Sequence, residues 1–144
     1  MSLEAVRSEV RQQLRTGGLR ATAPRIAVLV ALHEFRAPMT HEQVMEVLPT
    51  GLHDRASVWR ILSDLSDGGL LRRMDLGDRV WRYELRDRFR PVDDNHAHFL
   101  CEACAGVTCL PPLELRAVTG TLPPFLHSAE VRLKVTGRCA GCQV

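Results

Sequence analysis

Four of the five cysteines in this chain form two pairs, Cys101-x-x-Cys104 and Cys139-x-x-Cys142. A CxxC turn places two thiolates on one side of a tight loop, and two such turns supply the ligands of a tetrahedral zinc ion. Because the N-terminus lacks a signal-peptide core, the pairs indicate a metal site before disulfides. A dithiol redox pair is the alternative, but it normally belongs to a thioredoxin-like βαβ unit, which the sequence does not predict. We therefore predict a structural zinc site.

A second group of possible ligands flanks the first pair. His96 and His98 are separated by one residue on a predicted strand, so their side chains point the same way. Cys109, the unpaired cysteine, lies near the end of the next predicted strand. An isolated HxH is more often structural, and Cys109 could be a small buried apolar residue. Their coincidence beside four paired cysteines favours a second metal site.

The elements that would position these residues fall into two groups. Apolar residues at helical spacing predict helices over 3–16, 24–35 and 55–67, with another between Thr40 and Pro49. Two strands follow, Leu70–Met74 and Arg79–Leu85, joined by a turn. Helices followed by a β-hairpin over about 85 residues are typical of a winged helix-turn-helix.

Residues 86–95 are charged, contain Pro91 and lack periodicity, so we interpret them as a hinge. Beyond them the pattern predicts strands over 97–101, 106–110 and 129–136 and a helix near 112–120. A unit of about 50 residues is too small to be comfortably stable alone, so metal and a partner subunit would stabilise it. We predict an α+β chain: a winged-helix domain over 1–85, the hinge, and a small α/β dimerisation and metal-binding domain over 96–144.

Composition excludes several classes of protein. With 144 residues, 45% of them hydrophobic and 25% charged, the chain is globular rather than disordered. The longest apolar run, Ile26–Leu32, is too short for a membrane span, so we expect a soluble, cytoplasmic protein. Residues 1–90 contain 15 arginines against 12 acidic residues, a mildly basic balance that is compatible with nucleic acid.

The order and spacing of several motifs resemble the ferric uptake regulator family of metal-responsive transcriptional regulators, in particular its zinc uptake regulators. The motifs are Thr22-Ala23-Pro24-Arg25, Ser57-Val58-Trp59-Arg60-Ile61-Leu62 with Leu65 and Gly68, Tyr83-Glu84-Leu85, the segment 96–104, and the segment 137–142. The resemblance implies a homodimeric, metal-dependent repressor that binds double-stranded DNA, and no enzymatic activity. The family usually has tyrosine where this chain has Trp59.

Helix 55–67 is the expected DNA-reading element. Its apolar stripe packs inward, which leaves Arg55, Ser57, Trp59 and Arg60 to face outward. An arginine there can bind guanine through O6 and N7, and Trp59 can contact a thymine methyl group; alternatively, Trp59 covers the neighbouring helix and the arginines are merely solvated. Phosphate contacts are expected from Arg20 and from the arginines of the hairpin, Arg72, Arg73 and Arg79. A dimer would place two such helices in successive major grooves of a palindromic operator.

The resemblance also implies an acidic ligand for the second site, either Glu84 or, as the alternative, Asp75. Cys109 stands where relatives often have a glutamate. With Glu84, the site would combine two nitrogens, one sulfur and one oxygen from both sides of the hinge, and bound metal would fix the domains for DNA binding. A thiolate among imidazoles favours zinc over ferrous iron. We therefore predict a zinc-sensing repressor of metal-homeostasis genes; the alternatives are an iron or peroxide sensor of the same fold and, from another class, a zinc hydrolase.

Overall fold

The computed structural model describes residues 1–51, 53–86, 96–127 and 133–143, and the chain divides into two compact units, Met1–Pro91 and Val92–Val144. Except for Arg86, the predicted hinge over 86–95 lies outside the described residues, and the proposed domain boundaries stay a prediction. In the described part of the chain, no helix combines the length and apolar character that crossing a bilayer requires.

Four α-helices build most of the first unit: α1 (Leu3–Thr16), α2 (Ala23–Phe35), α3 (His41–Val47) and α4 (Arg55–Asp67). Each helix predicted for this unit is therefore present. Their N-terminal ends follow from local chemistry, because a side-chain oxygen at the cap satisfies an amide that has no helical partner. Ser2 caps α1 and Asp54 caps α4 in this way. Thr40 and Gln43 form a reciprocal capping box at α3.

A small antiparallel sheet completes the first unit. Its strands are β1 (Met39–Thr40), β2 (Leu71–Asp75) and β3 (Trp81–Leu85), in the order β1-β3-β2. The β2–β3 hairpin is the predicted wing, and its register pairs Asp75 with Trp81 and Leu71 with Leu85. Gly77 turns the chain at φ 92°, a conformation that glycine adopts without steric cost. Strand β1 has only two residues, too few to show a period in the sequence.

The core of the first unit follows the predicted apolar stripes. The buried residues are Val6, Val10, Leu14, Val28, Leu29, Leu32, Met39, Val44, Leu48, Val58, Leu62, Leu65, Leu70, Leu71 and Tyr83. Helix α2 packs on the other three helices and on β3, so it is the central helix of this unit. Leu3, at the start of α1, lies outside this core and is 50% exposed.

Strand β3 departs from a simple alternation of buried and exposed residues. Its central position gives it a neighbour on each edge, and both Arg82 and Tyr83 are buried, at 2% and 3% exposure. The buried guanidinium of Arg82 is compensated by Asp78, whose carboxylate oxygen lies 2.8 Å from Nη2. A buried charge needs such a partner, and the hairpin turn supplies it.

The second unit contains β4 (His98–Cys101), β5 (Val107–Cys109) and β6 (Val135–Gly137), with two short 3-10 helices at Pro124–His127 and Ala140–Cys142. The strand order is β5-β4-β6, with β4 antiparallel to β5 and parallel to β6. Only Leu100 and Cys101 are buried apolar residues among those described in this unit.

Two predictions for the second unit need correction. The predicted helix near 112–120 is wrong, because these residues form no helix. Pro111 and Pro112 lack the amide protons that a helix needs, and Val118 is fully exposed, so no apolar face is packed. Of the predicted strand over 129–136, residues 128–132 lie outside the described part; 133 and 134 are not in a strand, and β6 extends to Gly137 because Cys101 of β4 pairs with it.

Candidate functional site

The four paired cysteines converge at one end of the second sheet. Cys101 is the last residue of β4, and Cys104 lies in the turn that follows it. The parallel pairing of β4 with β6 sets Gly137 opposite Cys101, so the chain leaving β6 reaches this end at Cys139. Cys142 follows in the short 3-10 helix. The sheet therefore joins two CxxC turns that are separated by 34 residues of sequence.

The geometry of the four thiols fits a tetrahedral metal ion. Their sulfur atoms all lie within 4.8 Å of one another. Zinc–sulfur bonds of about 2.3 Å in a tetrahedron place the sulfurs about 3.8 Å apart. The Sγ atoms of Cys104 and Cys139 are separated by 3.8 Å. No disulfide joins any of the five cysteines, all of which belong to the described part of the chain.

The backbone prepares this cluster for a cation. The amide of Cys139 donates to Sγ of Cys101 at 3.4 Å. This hydrogen bond and, to a smaller extent, a second one from the backbone amide of Cys104 lower the pKa of Cys101 to about 6. The neighbouring thiols have the opposite effect on Cys142, whose pKa rises to about 12, chiefly through its contact with Cys139. The site therefore favours a thiolate at Cys101 and opposes a second one at Cys142. A bound divalent cation would allow all four cysteines to be deprotonated.

The second group of candidate ligands lies on the β4–β5 pair. His98 is directly opposite Cys109 in the antiparallel register, so the two side chains share a face of the sheet. His96 precedes His98 by two residues, and their ring centroids are 4.6 Å apart. The ligand atoms of all three residues lie within 4.8 Å of one another. Two imidazoles and one thiol are therefore close enough to bind a single metal ion.

The two candidate acidic ligands lie on the wing of the first unit. Glu84 is partly buried on β3, opposite Arg72, whose Nη2 donates to its carboxylate at 3.0 Å. Asp75 uses one carboxylate oxygen to accept from the amides of Gly77 and Arg79, at 2.8 and 3.2 Å, and so holds the wing turn. These contacts give Asp75 a structural role within the hairpin. The assignment of either carboxylate to the metal site stays a prediction.

The candidate DNA-reading side chains of α4 fall into two classes. Trp59 is 56% exposed, and Arg60 beside it is exposed as well. If Trp59 served only to cover a neighbouring helix, more than half of its side-chain surface would still be exposed to solvent. Arg20, which precedes α2, is exposed, and its carbonyl accepts from the side chain of Arg25 at 3.1 Å.

The side chains of Arg55 and Ser57, by contrast, form hydrogen bonds to carboxylates of the same unit. The hydroxyl of Ser57 donates to the carboxylate of Asp54 at 2.9 Å, within the helix cap. Both terminal nitrogens of Arg55 donate to the carboxylate of Glu42 on α3. Glu42 is absent from the sequence-based site because it lies 13 residues away, and no spacing rule links the two positions.

The three wing arginines, expected to contact phosphates, differ in their surroundings. Arg72 is paired with Glu84, as described above. The guanidinium carbon of Arg73 lies 4.2 Å from the ring centroid of Trp81, which is half exposed. Arg79 is exposed at the turn, with φ at 62°. Stacking on a ring leaves the charge of Arg73 available at the surface.

Comparison with known proteins agrees with this arrangement. The model of the Ferric uptake regulator family matches residues 16–119. The Transcriptional regulator FurA of Mycobacterium tuberculosis is 38% identical over 103 residues, which cover 68% of this chain and 66% of FurA. The match thus spans just under two thirds of that relative. Ferric uptake regulation protein 2 of Mycolicibacterium fortuitum is 31% identical over 145 residues, covering 95% of this chain and 94% of that protein.

Solved structures show the same fold at lower identity. The Vibrio cholerae ferric uptake regulator has a TM-score of 0.65 at 19% identity, covering 90% of this chain and 98% of that one. A zinc uptake regulator complexed with zinc and DNA has a TM-score of 0.60 at 15% identity, covering 99% and 95%. Because the family model spans most of the sequence and two clustered ligand sets lie on the shared fold, the chain belongs to the ferric uptake regulator family.

Proposed function

We propose that this protein is a cytoplasmic, zinc-sensing transcriptional repressor that binds a palindromic operator as a homodimer and controls metal-homeostasis genes. The observation that carries the proposal is the second ligand group, His96, His98 and Cys109, on the β4–β5 pair beside a separate four-thiol cluster. In a metal-responsive regulator with two sites, one metal can stay bound to hold the fold while the other exchanges. Four thiolates suit the first purpose, and a mixed site suits the second.

The choice of zinc rests on ligand chemistry. Thiolate and imidazole ligands favour zinc, whereas oxygen-rich sites favour harder ions. An iron-responsive regulator is the second candidate, because relatives that match this chain carry ferric uptake names. A zinc hydrolase is the weaker alternative, since those relatives are named as regulators.

Glu84 is proposed as the remaining ligand of the sensory metal on the basis of the sequence resemblance. It belongs to the first unit, whereas His96, His98 and Cys109 belong to the second. A metal held by both units would stabilise one relative orientation of them and release it when lost. Such a change is a shift between populations, driven by the different metal affinities of the two states.

Trp59 and Arg60, which are exposed on α4, are proposed to contact base edges, and Arg20 to contact a phosphate. Dimerisation is supported by apolar side chains that are exposed on the second unit of the single chain, namely Leu113, Leu115, Val118, Phe125 and Leu133. A second copy would cover such a surface.

The proposal is tested by metal-dependent DNA binding. A duplex is first selected from a random library with zinc-loaded protein, and fluorescence anisotropy then measures its affinity as Zn²⁺, Fe²⁺ or Mn²⁺ is added. Zinc is expected to promote binding at the lowest free concentration. If Fe²⁺ acts at lower free concentration than Zn²⁺, the protein is an iron sensor instead.

His98→Ala tests the assignment of the second site. Loss of an imidazole ligand should lower the affinity for the sensory metal by more than about 100-fold, because even changes to residues that hydrogen-bond to metal ligands lower metal affinity by about 10–100-fold. Metal-dependent DNA binding should therefore be lost, while one zinc per chain is retained. His33→Ala, on α2 and outside both clusters, is the matched control and should behave as wild type. An unchanged metal response in His98→Ala would remove this histidine from the site.

A further inference from the structure

The contact between α3 and α4 concentrates charged side chains at the N-terminal end of α4. Nη1 of Arg55 donates to Oε2 of Glu42 at 2.7 Å, and Nη2 donates to the other carboxylate oxygen. The adjacent residue also takes part, because Nε2 of His41 lies 2.9 Å from the carbonyl oxygen of Arg55. A forked arginine–carboxylate pair fixes both side chains in direction as well as in distance.

This ion pair is exposed, which limits what it can do for folding. The side chains of Arg55 and Glu42 are 67% and 58% accessible. Water screens such pairs, and their contribution to stability is small. The main effect of the pair is therefore electrostatic: the charge of Arg55 is neutralised on the surface that α4 presents.

The neighbouring cap acts in the same direction. The carboxylate of Asp54 accepts from the amide of Ser57 at 2.7 Å and from its hydroxyl at 2.9 Å. The hydrogen bond from the Ser57 amide lowers the pKa of Asp54, and the hydrogen bond from Arg55 lowers the pKa of Glu42. Both carboxylates are therefore ionised at neutral pH. The amides of a helix N-terminus ordinarily attract phosphate, but a carboxylate already occupies this end of α4.

We propose that Glu42 is a specificity-determining residue of the DNA interface, because it neutralises Arg55 and prevents the N-terminal end of α4 from binding phosphates of any sequence. The inference rests on the proposed DNA-binding function and extends it to a residue on the preceding helix. Discrimination between sequences is then left to exposed side chains further along α4, Trp59 and Arg60. Phosphate contacts raise affinity for all DNA alike, so suppressing one of them raises the ratio of specific to non-specific binding.

The test compares Glu42→Gln with Glu46→Gln in the full-length, zinc-loaded chain. Both glutamates are exposed on α3, but the Arg55 guanidinium bonds to Glu42. The probes are a random-sequence 25-base-pair duplex and a duplex selected with wild-type protein. Glu42→Gln should bind the random duplex about threefold or more tightly at 0.1 M salt. The slope of log K against log salt concentration should become more negative by about 0.9, as expected for one added phosphate contact. Glu46→Gln should leave the salt dependence unchanged.

Arg55→Gln provides the second arm of the experiment. In the wild-type background it should lower affinity for the random duplex slightly, because the Glu42 carboxylate loses its partner, but it should leave the salt dependence unchanged because no phosphate contact is lost. In the Glu42→Gln background it should reverse the gain, and this non-additivity is the signature of the pair. If each single substitution instead weakens binding to both duplexes equally, the pair is a structural brace and the inference is overturned.

Failure of the inference and failure of the proposed function are distinguishable. A wild-type protein that binds neither duplex at any metal concentration overturns both. A wild-type protein that binds with zinc, combined with identical behaviour of Glu42→Gln and Glu46→Gln, overturns the inference alone. Circular dichroism melting curves that match wild type exclude a folding defect as the cause of any change.

Discussion

The two units of this chain are stabilised in different ways. In the first, fifteen apolar side chains from four helices and the sheet form one buried cluster. In the second, the described residues bury only Leu100 and Cys101, and several large apolar side chains are exposed. The first unit has a core that can support folding, whereas the second buries too few side chains to do so, and the proposed zinc and second copy would supply what it lacks.

This difference separates the effects of mutations. Changes to packing should act on the first unit, and changes to metal ligands should act on the second. Four substitutions, with decreasing effects on the fold, test that separation.

Cys101→Ser should have the largest effect. Cys101 is 1% exposed and belongs to the four-thiol cluster, so its loss removes both a zinc ligand and a buried side chain. Zinc binding at such sites contributes about 10–16 kcal/mol of folding free energy. We expect loss of the structural zinc, of dimers and of ordered amides in the second unit, measured by elemental analysis, sedimentation and hydrogen exchange. Helical amides of the first unit should keep their protection; a dimeric variant that melts normally would contradict the zinc site.

Leu62→Ala should act on the first unit alone. Leu62 is fully buried on α4, and truncation of such a leucine costs about 2–5 kcal/mol. The midpoint of denaturant unfolding of the helices should fall accordingly, while zinc content stays at the wild-type value. Ile61→Ala, at a half-buried position next to it, is the control and should cost less. Zinc loss in Leu62→Ala would show that the units do not fold independently.

Asp78→Asn should have a smaller, pH-dependent effect. Arg82 lowers the pKa of Asp78 by donating a hydrogen bond to it. A depressed carboxyl pKa stabilises the fold above the unfolded-state value near 3.8 and loses that contribution as pH falls through the folded-state value. The variant should be about 1.5–3 kcal/mol less stable at pH 7, the range for hydrogen bonds to charged groups.

Urea unfolding at pH 7 and at lower pH measures this dependence. The difference between wild type and Asp78→Asn should shrink as pH falls below the usual carboxyl range. A difference that is constant with pH would show that the Asp78 charge is irrelevant. Asp67→Asn, at the exposed end of α4, serves as the charge-matched control.

Cys109→Ser should have the smallest effect on folding and a clear effect on metal choice. The residue is partly buried at the end of β5, and a hydroxyl of similar size can replace the thiol. Removing the soft ligand should lower zinc affinity more than iron(II) affinity. Competition titrations with a chromophoric chelator measure both. Thr108→Ala, the adjacent exposed position, should alter neither affinity.

The sequence predicts the helices of this fold well because local rules determine them. The bounds of α1 and α4 coincide with the predictions, since an apolar stripe, an N-cap and a terminal glycine agree at each. The ligand sets are predictable in part, because each CxxC and the HxH place their own two members together before the tertiary fold is considered. The pairing of β4 with β6, which brings the two CxxC turns together, has no such local signature.

The features that the sequence does not predict lie where tertiary contacts override local patterns. Residues 112–120 lack a surface against which a helix could pack, so spacing alone was misleading. The buried state of Arg82 depends on Asp78 in the hairpin turn. Likewise, no local pattern predicts that the guanidinium of Arg55, on the outer side of α4, bonds to Glu42 on a different helix.

The parallel pairing of β4 with β6 has a consequence for the time course of folding. Most contacts of the first unit join elements that are adjacent in sequence, although β1 pairs with the more distant β3. In the second unit, the four-thiol cluster itself requires closure of a 34-residue loop between its two CxxC turns. Refolding should therefore show a fast phase that is indifferent to zinc and a slow phase whose rate rises with zinc concentration. In a cell starved of the metal, newly made chains would pause with only their first unit in native form.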